Sequence, residues 1–197
     1  PPRSTLFPST TLFRSLVNLG HIALAKAQYA ASLKFYDRAQ QEFYHGTSHE
    51  IMLFQARAHY ENQNLLQAKK TLQEALHIAP MNHRVRFNLA YVVQELAQRS
   101  LNDTLKSVSS EGRVARVEKA LENIQVALHM FTQLKELGNQ PKFGFDTKRT
   151  TVHANFCKQA LEKSKPHLEK AHAEEEKLMK SKKAQMEARK ALEEGRA

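Results

Sequence analysis

Histidine and cysteine are the residues of this sequence best suited to chemistry. It contains ten histidines and a single cysteine, Cys157. His45 and His49 lie four residues apart, a spacing that could place two imidazoles on one helix face for a metal ion, but Gly46 and Ser48 predict a turn between them. No HExxH motif and no paired Cys/His zinc spacing occurs. The sequence therefore predicts neither a metal site nor a cofactor.

Nucleophilic catalysis and phosphate binding are not predicted either. Cys157 follows Phe156 on an apolar stripe, which is typical of a small core residue. A lone cysteine cannot form an internal disulfide and fits a reducing compartment. There is no glycine-rich phosphate loop. We expect no catalytic residues here, so any enzyme activity would belong to a domain outside this sequence.

Charge points to acidic partners. The 197 residues carry a formal net charge of +10. Arginine–glycine runs and interleaved aromatic residues are lacking, so direct nucleic-acid binding is disfavoured. Lys180, Lys182 and Lys183 form a basic cluster that is either a solvated helix face or a nuclear import signal or acid-binding surface. No apolar run approaches the ~18 residues that a membrane helix needs, so no membrane partner is expected.

A repeat organises the elements that would position binding residues. Small residues recur at Gly20, Ala56 and Ala90, spaced like the roughly 34-residue units of tetratricopeptide (TPR) helix pairs. Further small positions (Ser32 and Ala68, Ala39 and Ala75) and large positions (Tyr29 and Leu65, Tyr36 and Leu72) repeat in register. The predicted fold is all-α, a TPR helix-pair solenoid, and such arrays build surfaces for binding proteins.

The array is expected to occupy residues 16–137. Residues 1–15, PPRSTLFPSTTLFRS, show no helical period and resemble the translation of a sequencing-adapter oligonucleotide. We therefore predict that they are non-native, that the natural chain extends further upstream, and that the given sequence enters the array in its middle, with the first helix starting at Leu16. The period fails between Ser100 and Gly112, which predicts either an insertion of about 18 residues near 99–117 or an unusually long helix bent at Ser100.

Two further segments follow the array. Residues 138–165 are expected to form a capping helix, anchored by Phe143 and Phe145, that covers the last repeat. Residues 166–197 are rich in Ala, Glu, Lys and Arg and predict a charged, exposed helix, with a coiled-coil seam as the alternative. Pro166 would kink the preceding helix or begin a new one.

A partner segment is expected on the concave face formed by the first helix of each pair. Val17 and His21 stand where chaperone-adaptor repeats carry a lysine and an asparagine that clamp a terminal carboxylate, so that mode is disfavoured. The face better suits an extended segment with apolar anchors. The predicted partner-binding residues are His21, Leu24, Leu53, Arg57, Tyr60, Phe87, Tyr91 and Gln94.

A family resemblance rests on several of these stretches. They are Leu16-Val17-Asn18-Leu19-Gly20-His21-Ile22, Lys69-Lys70-Thr71-Leu72, Ala75 to Pro80 and Phe87-Asn88-Leu89-Ala90, together with the insertion that begins at Leu96-Ala97 and the segment around Cys157. In these the sequence resembles the large TPR subunits of the RNA polymerase II-associated factor (PAF) complex, the cln-three-requiring-nine family. It departs from that family at Pro166, where the family keeps an uninterrupted helix, and in the insertion's length and sequence.

The resemblance implies a nuclear scaffold for transcription elongation. Its partners would be the other PAF subunits and RNA polymerase II, with chromatin contacted only indirectly. Through it the complex would support co-transcriptional histone modification, namely H2B ubiquitination and H3 methylation. The alternatives are another TPR adaptor, such as a chaperone cofactor or an RNA-processing scaffold, and a repeat domain attached to an enzyme.

Overall fold

A computed structural model describes residues 8–107, 111–138 and 146–194. These parts of the chain form seven α-helices: α1 (Pro8–Ala25), α2 (Tyr29–Tyr44), α3 (His49–Glu61), α4 (Leu65–Ile78), α5 (His83–Lys106), α6 (Arg113–Glu136) and α7 (Thr147–Glu194). Each helix packs against the next one along the chain, so that α1–α2, α3–α4 and α5–α6 are three successive pairs and α7 follows them. The predicted all-α TPR solenoid is confirmed.

The repeated small residues are where the helices of a pair meet. Gly20 is buried, and a Cβ added to it would lie 2.4 Å from Cε1 of Tyr36. The Ser32 hydroxyl, also buried, donates a hydrogen bond of 2.9 Å to the Gly20 carbonyl. The corresponding positions of the second pair, Ala56 and Ala68, are 3% and 0% exposed. The repeat register read from the sequence is therefore the packing register of the helices.

Side chains at three helix N-termini define where the helices begin. Ser48, Asn64 and Asn82 each accept a hydrogen bond from a backbone N–H three residues ahead, at 3.4, 3.4 and 3.1 Å. Such caps satisfy donors that the first turn leaves unpaired. Gly46 and Gly138 both follow helices and have positive φ, the conformation in which glycine commonly ends a helix.

The predicted start of α1 at Leu16 is wrong by eight residues. The helix begins at Pro8, where proline is tolerated because a backbone N–H in the first turn would have no acceptor within the helix, so the N–H that proline lacks is not missed. The ring of Phe13 lies 5.6 Å from that of Phe43 and 5.3 Å from that of Tyr44, which ties this first part of α1 to α2. Residues 1–7 are outside the described part, and the non-native origin of residues 1–15 stays a prediction.

The predicted insertion is helical rather than irregular. It lengthens both helices of the third pair to 24 residues, so α5 runs on to Lys106 and α6 begins at Arg113. Leu101 and Val117 in the lengthened parts are 8% and 0% exposed and belong to the same core as the repeats. The alternative of an unusually long helix is thus the better description, although Ser109 and Ser110 are not in the described part.

The predicted capping helix and charged helix are one helix, α7, of 48 residues. One series of its buried and half-buried positions follows alternating steps of four and three residues: Thr150, Ala154, Cys157, Leu161, Ser164, Leu168, Ala171, Glu175 and Leu178. This heptad seam packs on α6, and residues 179–190 beyond it are exposed. Phe143 and Phe145, the predicted anchors, fall outside the described residues.

Pro166 lies in the interior of α7 on its exposed side. It lacks the N–H that would bond the carbonyl four residues earlier, and its ring crowds that carbonyl. We therefore expect Pro166→Ala to raise the free energy of unfolding by about 2 kcal/mol, less than the full helix-propensity difference because proline also restricts the unfolded chain. Urea unfolding monitored by circular dichroism measures the change. The matched control is Gln159→Ala, an exposed α7 substitution expected to change stability by less than about 0.5 kcal/mol; an equal effect of the two variants would contradict the prediction.

Candidate partner-binding groove

Four of the predicted partner-binding residues line one pocket. It has a volume of about 220 Å³ and lies between α3, α4 and α5. We call it the tyrosine pocket, and its lining consists of Leu53, Phe54, Ala56, Arg57, Tyr60, Leu72, Arg84, Asn88, Tyr91 and Val92. The predicted residues among them are Leu53, Arg57, Tyr60 and Tyr91. Helical spacing explains this arrangement, because α3 and α5 are first helices of neighbouring pairs and present their exposed faces side by side.

Two tyrosines form one wall of the tyrosine pocket. The Tyr60 hydroxyl donates to that of Tyr91 across 3.3 Å, and the two rings lie 5.7 Å apart. Burial, followed by the contact with Tyr91, raises the pKa of Tyr60 well above its ordinary value. The Tyr60 hydroxyl thus offers a hydrogen bond without charge at neutral pH.

The rim of the tyrosine pocket is basic. Arg57 is exposed and pairs with Glu61 one turn away at 2.8 Å. Arg84, also exposed, lines the pocket from the start of α5. The floor is apolar, because Leu53 and Leu72 are buried side chains of α3 and α4. The arrangement suits an apolar side chain with an acidic group beside it.

His21 and Leu24 lie outside this pocket. Nδ1 of His21 is 2.7 Å from the Tyr36 hydroxyl, and its ring stands edge-on to that of Phe54 at 4.5 Å. His21 thus braces Phe54, which does line the pocket. Leu24 is 6% exposed and packs in the core formed by α1, α2 and α3. Its prediction as a partner-binding residue is not supported by this position.

Phe87 and Gln94 contact α7. His153 of α7 lies with its ring 6.1 Å from that of Phe87 and with Nδ1 3.1 Å from Oε1 of Gln94. The Sγ of buried Cys157 is 3.8 Å from the same oxygen. The N-terminal part of α7 therefore covers the last repeat, and these two side chains serve that packing.

Cys157 is a core residue, as the sequence predicts. It is 0% exposed, and burial raises the pKa of its thiol to about 11. A thiol with so high a pKa is a poor nucleophile at neutral pH. Within residues 8–107, 111–138 and 146–194, no group of three or more His, Cys, Asp or Glu side chains is arranged to hold a metal ion.

The amino-acid sequence of the chain is similar to those of known proteins. No family model matches the sequence. Over 153 residues, 78% of the chain, it is 32% identical to "Protein CTR9 homolog" of Arabidopsis thaliana. Over 156 residues it is 25% identical to "RNA polymerase-associated protein CTR9" of Caenorhabditis elegans.

The chain is a CTR9-like region. It spans only 14% of the length of the Arabidopsis relative and 13% of that of the Caenorhabditis relative. This confirms the resemblance drawn from the repeat stretches.

Solved structures share the CTR9-like chain's architecture at low sequence identity. The Yersinia enterocolitica type III secretion translocator chaperone SycD matches 78% of the chain with a TM-score of 0.51 and 14% identity. The Sgt2 TPR domain of Aspergillus fumigatus covers 77% with a TM-score of 0.49 and the same identity. The likeness to SycD concerns the fold alone.

Six lining residues of the tyrosine pocket were not among the predicted partner-binding residues of this CTR9-like chain, and three of these six are Phe54, Arg84 and Asn88. Two of them carried a usable signal. Arg84, Asn88 and Tyr91 are spaced by four and three residues, which places them on one face of α5. Phe54 carried none that set it apart from its neighbour Leu53, because its position depends on the packing of α3 against α1 and α2.

The basic cluster of the CTR9-like chain is paired with glutamates. Lys180 lies 2.6 Å from Glu176, as the four-residue spacing predicts. Lys182 lies 3.0 Å from Glu111, which is in the connection between α5 and α6. Lys183 is 3.9 Å from Glu187. All three lysines remain exposed, so this arrangement fits the solvated helix face. None of the helices in the described ranges is long and apolar enough to cross a membrane.

Three half-buried histidines make the fold sensitive to acid. Burial, as the largest cause, lowers the pKa of His21, His59 and His153 below the ordinary value of 6.5. The unfolded chain then binds more protons than the folded one below about pH 6.5, so their contribution is complete above that pH and is lost as the pH falls through the lowered folded-state pKa. We expect a lower melting temperature at about pH 5 than at about pH 7.5.

The histidine contribution is isolated by His153→Phe, which keeps a ring against Phe131 but cannot titrate. Its melting temperature should fall less between the two pH values than that of the unchanged protein. His129→Phe, at an exposed position of α6, is the control and should keep the original pH dependence. An equal fall in His153→Phe and the unchanged protein would exclude a role of His153.

Proposed function

We propose that this CTR9-like chain is part of a scaffold subunit of the PAF transcription elongation complex. The observation that carries the proposal is the 32% identity to a CTR9 homologue over 78% of the chain. The name of the Caenorhabditis relative, an RNA polymerase-associated protein, is consistent with it. In this role the chain acts in the nucleus, binds other PAF subunits and RNA polymerase II, and supports co-transcriptional histone modification without enzyme activity of its own.

The tyrosine pocket is the proposed point of partner attachment. A dry cavity of about 150 Å³ is known to accept a benzene molecule, so a pocket of about 220 Å³ has room for a large apolar side chain. The floor formed by Leu53 and Leu72 would bury that anchor, and Tyr60 and Tyr91 would hydrogen-bond the backbone of the segment. Arg84 at the rim would pair with an acidic residue next to the anchor.

Affinity purification of the tagged full-length protein, followed by mass spectrometry, tests the role as a whole. We expect PAF subunits and RNA polymerase II among the co-purifying proteins. Recovery of chaperones or RNA-processing factors in their absence would contradict the proposal and favour another TPR adaptor.

The pocket is tested by Arg84→Glu, which reverses a rim charge without touching the core. The yield of the PAF subunit held here should fall roughly fivefold, because a partly exposed ion pair is worth up to about 1 kcal/mol and the reversal adds repulsion. Lys34→Glu makes the same charge change at an exposed position of α2, away from the pocket. Equal yields from the two variants would show that partners attach elsewhere.

A further inference from the structure

A second apolar groove lies beyond the tyrosine pocket, between the lengthened part of α5 and α7. It has a volume of about 230 Å³. Its walls are formed by Leu101 and Leu105 of α5 and by Phe156 and Ala160 of α7. Leu105 is 39% exposed, although it is a large apolar residue at the groove's edge. We call this surface the α5–α7 groove.

The groove exists because α5 and α7 both pack against α6 and meet each other only briefly. They touch where Gln94 meets His153 and Cys157, and the third helix pair then continues for several turns. A bundle of three helices leaves such an apolar channel open on one side, and a further segment can close it.

The α5–α7 groove continues the tyrosine pocket along α5. Asn88 and Tyr91 line the pocket, while Gln98, Asn102 and Leu105 line the groove. These positions share one helix face, since they are spaced by three, seven, four and three residues. From Asn88 to Leu105 that face is about 26 Å long, at about 1.5 Å per residue.

The side chains that line the α5–α7 groove favour an acidic occupant. Lys163 and His167 line it from α7, and no acidic side chain is among the described residues that line it. Lys170 lies one turn beyond His167, and its contact with Glu174 is a long one of 3.9 Å. The tyrosine pocket has the same character, with Arg57 and Arg84 at its rim.

We propose that the α5–α7 groove binds an acidic segment of a protein partner, whose apolar side chains enter between Leu105 and Phe156 and whose carboxylates face Lys163 and His167. The same segment continues into the tyrosine pocket, where a second apolar anchor binds. The lengthened helices of the third repeat thus extend the binding surface of the array. This inference rests on the proposed function only in that the chain binds other proteins; the partner need not be a PAF subunit.

Site-specific photo-cross-linking in cells tests the proposal with the full-length protein. Benzoylphenylalanine replaces Gln159, an exposed residue that lines the groove, and in a parallel experiment Lys158, which lies on the opposite side of α7 from Lys163 and His167. Mass spectrometry then identifies the cross-linked peptide. We expect position 159, and not position 158, to capture a segment of another protein that is rich in Asp and Glu and carries apolar residues.

Charge reversal decides whether the captured segment is held by the groove. Lys163→Glu with His167→Glu should lower the cross-link yield at position 159 at least about fivefold. Lys158→Glu with Lys165→Glu, two exposed residues on the far side of the same helix, should leave the yield unchanged. Leu105→Asp, on the α5 side of the groove, should independently lower the cross-link yield at position 159. Circular dichroism verifies that each variant is folded.

Several outcomes would overturn the proposal. They are capture of a second copy of this chain, capture of nucleic acid, capture of a basic or uncharged segment, equal capture from positions 158 and 159, and no capture at all. The identity of the captured protein reports separately on the proposed function, because an acidic segment from a protein that is neither a PAF subunit nor RNA polymerase II would support the groove without supporting the complex assignment.

Discussion

Phe131→Ala is expected to lower the free energy of unfolding by about 3–5 kcal/mol, the range for removing a fully buried aromatic side chain. Phe131 is 0% exposed, and its ring lies 5.8 Å from that of Phe87 and 5.2 Å from that of His153. It therefore joins α5, α6 and α7, and its loss leaves a cavity where the last repeat meets the helix that covers it. Urea unfolding followed by circular dichroism gives the change.

Two further α6 variants make the Phe131 result interpretable. Phe131→Leu keeps most of the apolar volume and should cost less than the alanine variant. Val126→Ala, at a residue that is 47% exposed, should cost less than about 0.5 kcal/mol. If Phe131→Ala were no more destabilising than Val126→Ala, the packing of α7 against α6 described here would be incorrect.

Gly20→Leu is expected to destabilise the first repeat by about 3 kcal/mol, the upper end of the usual range for overpacking. Even a Cβ at this position would stand 2.4 Å from the Tyr36 ring. Tyr36 cannot simply move aside, because it is 0% exposed, contacts His21 through its hydroxyl and stacks on Phe54 at 5.7 Å. Overpacking would thus displace the aromatic group that supports the tyrosine pocket.

The control for Gly20→Leu is Ala30→Leu, the same added bulk at an exposed position of α2. It should change stability by less than about 0.5 kcal/mol. Equal melting temperatures for Gly20→Leu and the unchanged protein would mean that the repeat register, and with it the pairing of α1 with α2, is wrong.

Groove residues were predictable where a single helix determined them. Leu53, Arg57 and Tyr60 are spaced by four and three residues on α3, so the repeat alone placed them on one face. The same spacing placed Phe87 and Gln94 on the predicted binding face, but in the structure both side chains contact α7. That contact depends on a helix about sixty residues further along the chain. Periodicity describes one helix and carries no information on which distant helix covers it.

The sequence alone determined the helix pairs and their register. Gly20, Ala56 and Ala90 are small because helices must approach closely there, and the size and spacing of these residues can be read directly from the sequence. The caps at Ser48 and Asn82 are equally local, since a cap involves only the next three residues.

The tertiary structure decided what becomes of the segments without a repeat. Where the repeat period fails near Ser100, the structure has two lengthened helices, because Leu101 and Val117 are buried in the same core. Pro166 stays inside one long helix, because α7 packs on α6 both before and after the proline, at His153 and at Glu175. Many of these seam residues are small and only weakly apolar, so their burial depends on a partner surface that spacing alone does not reveal.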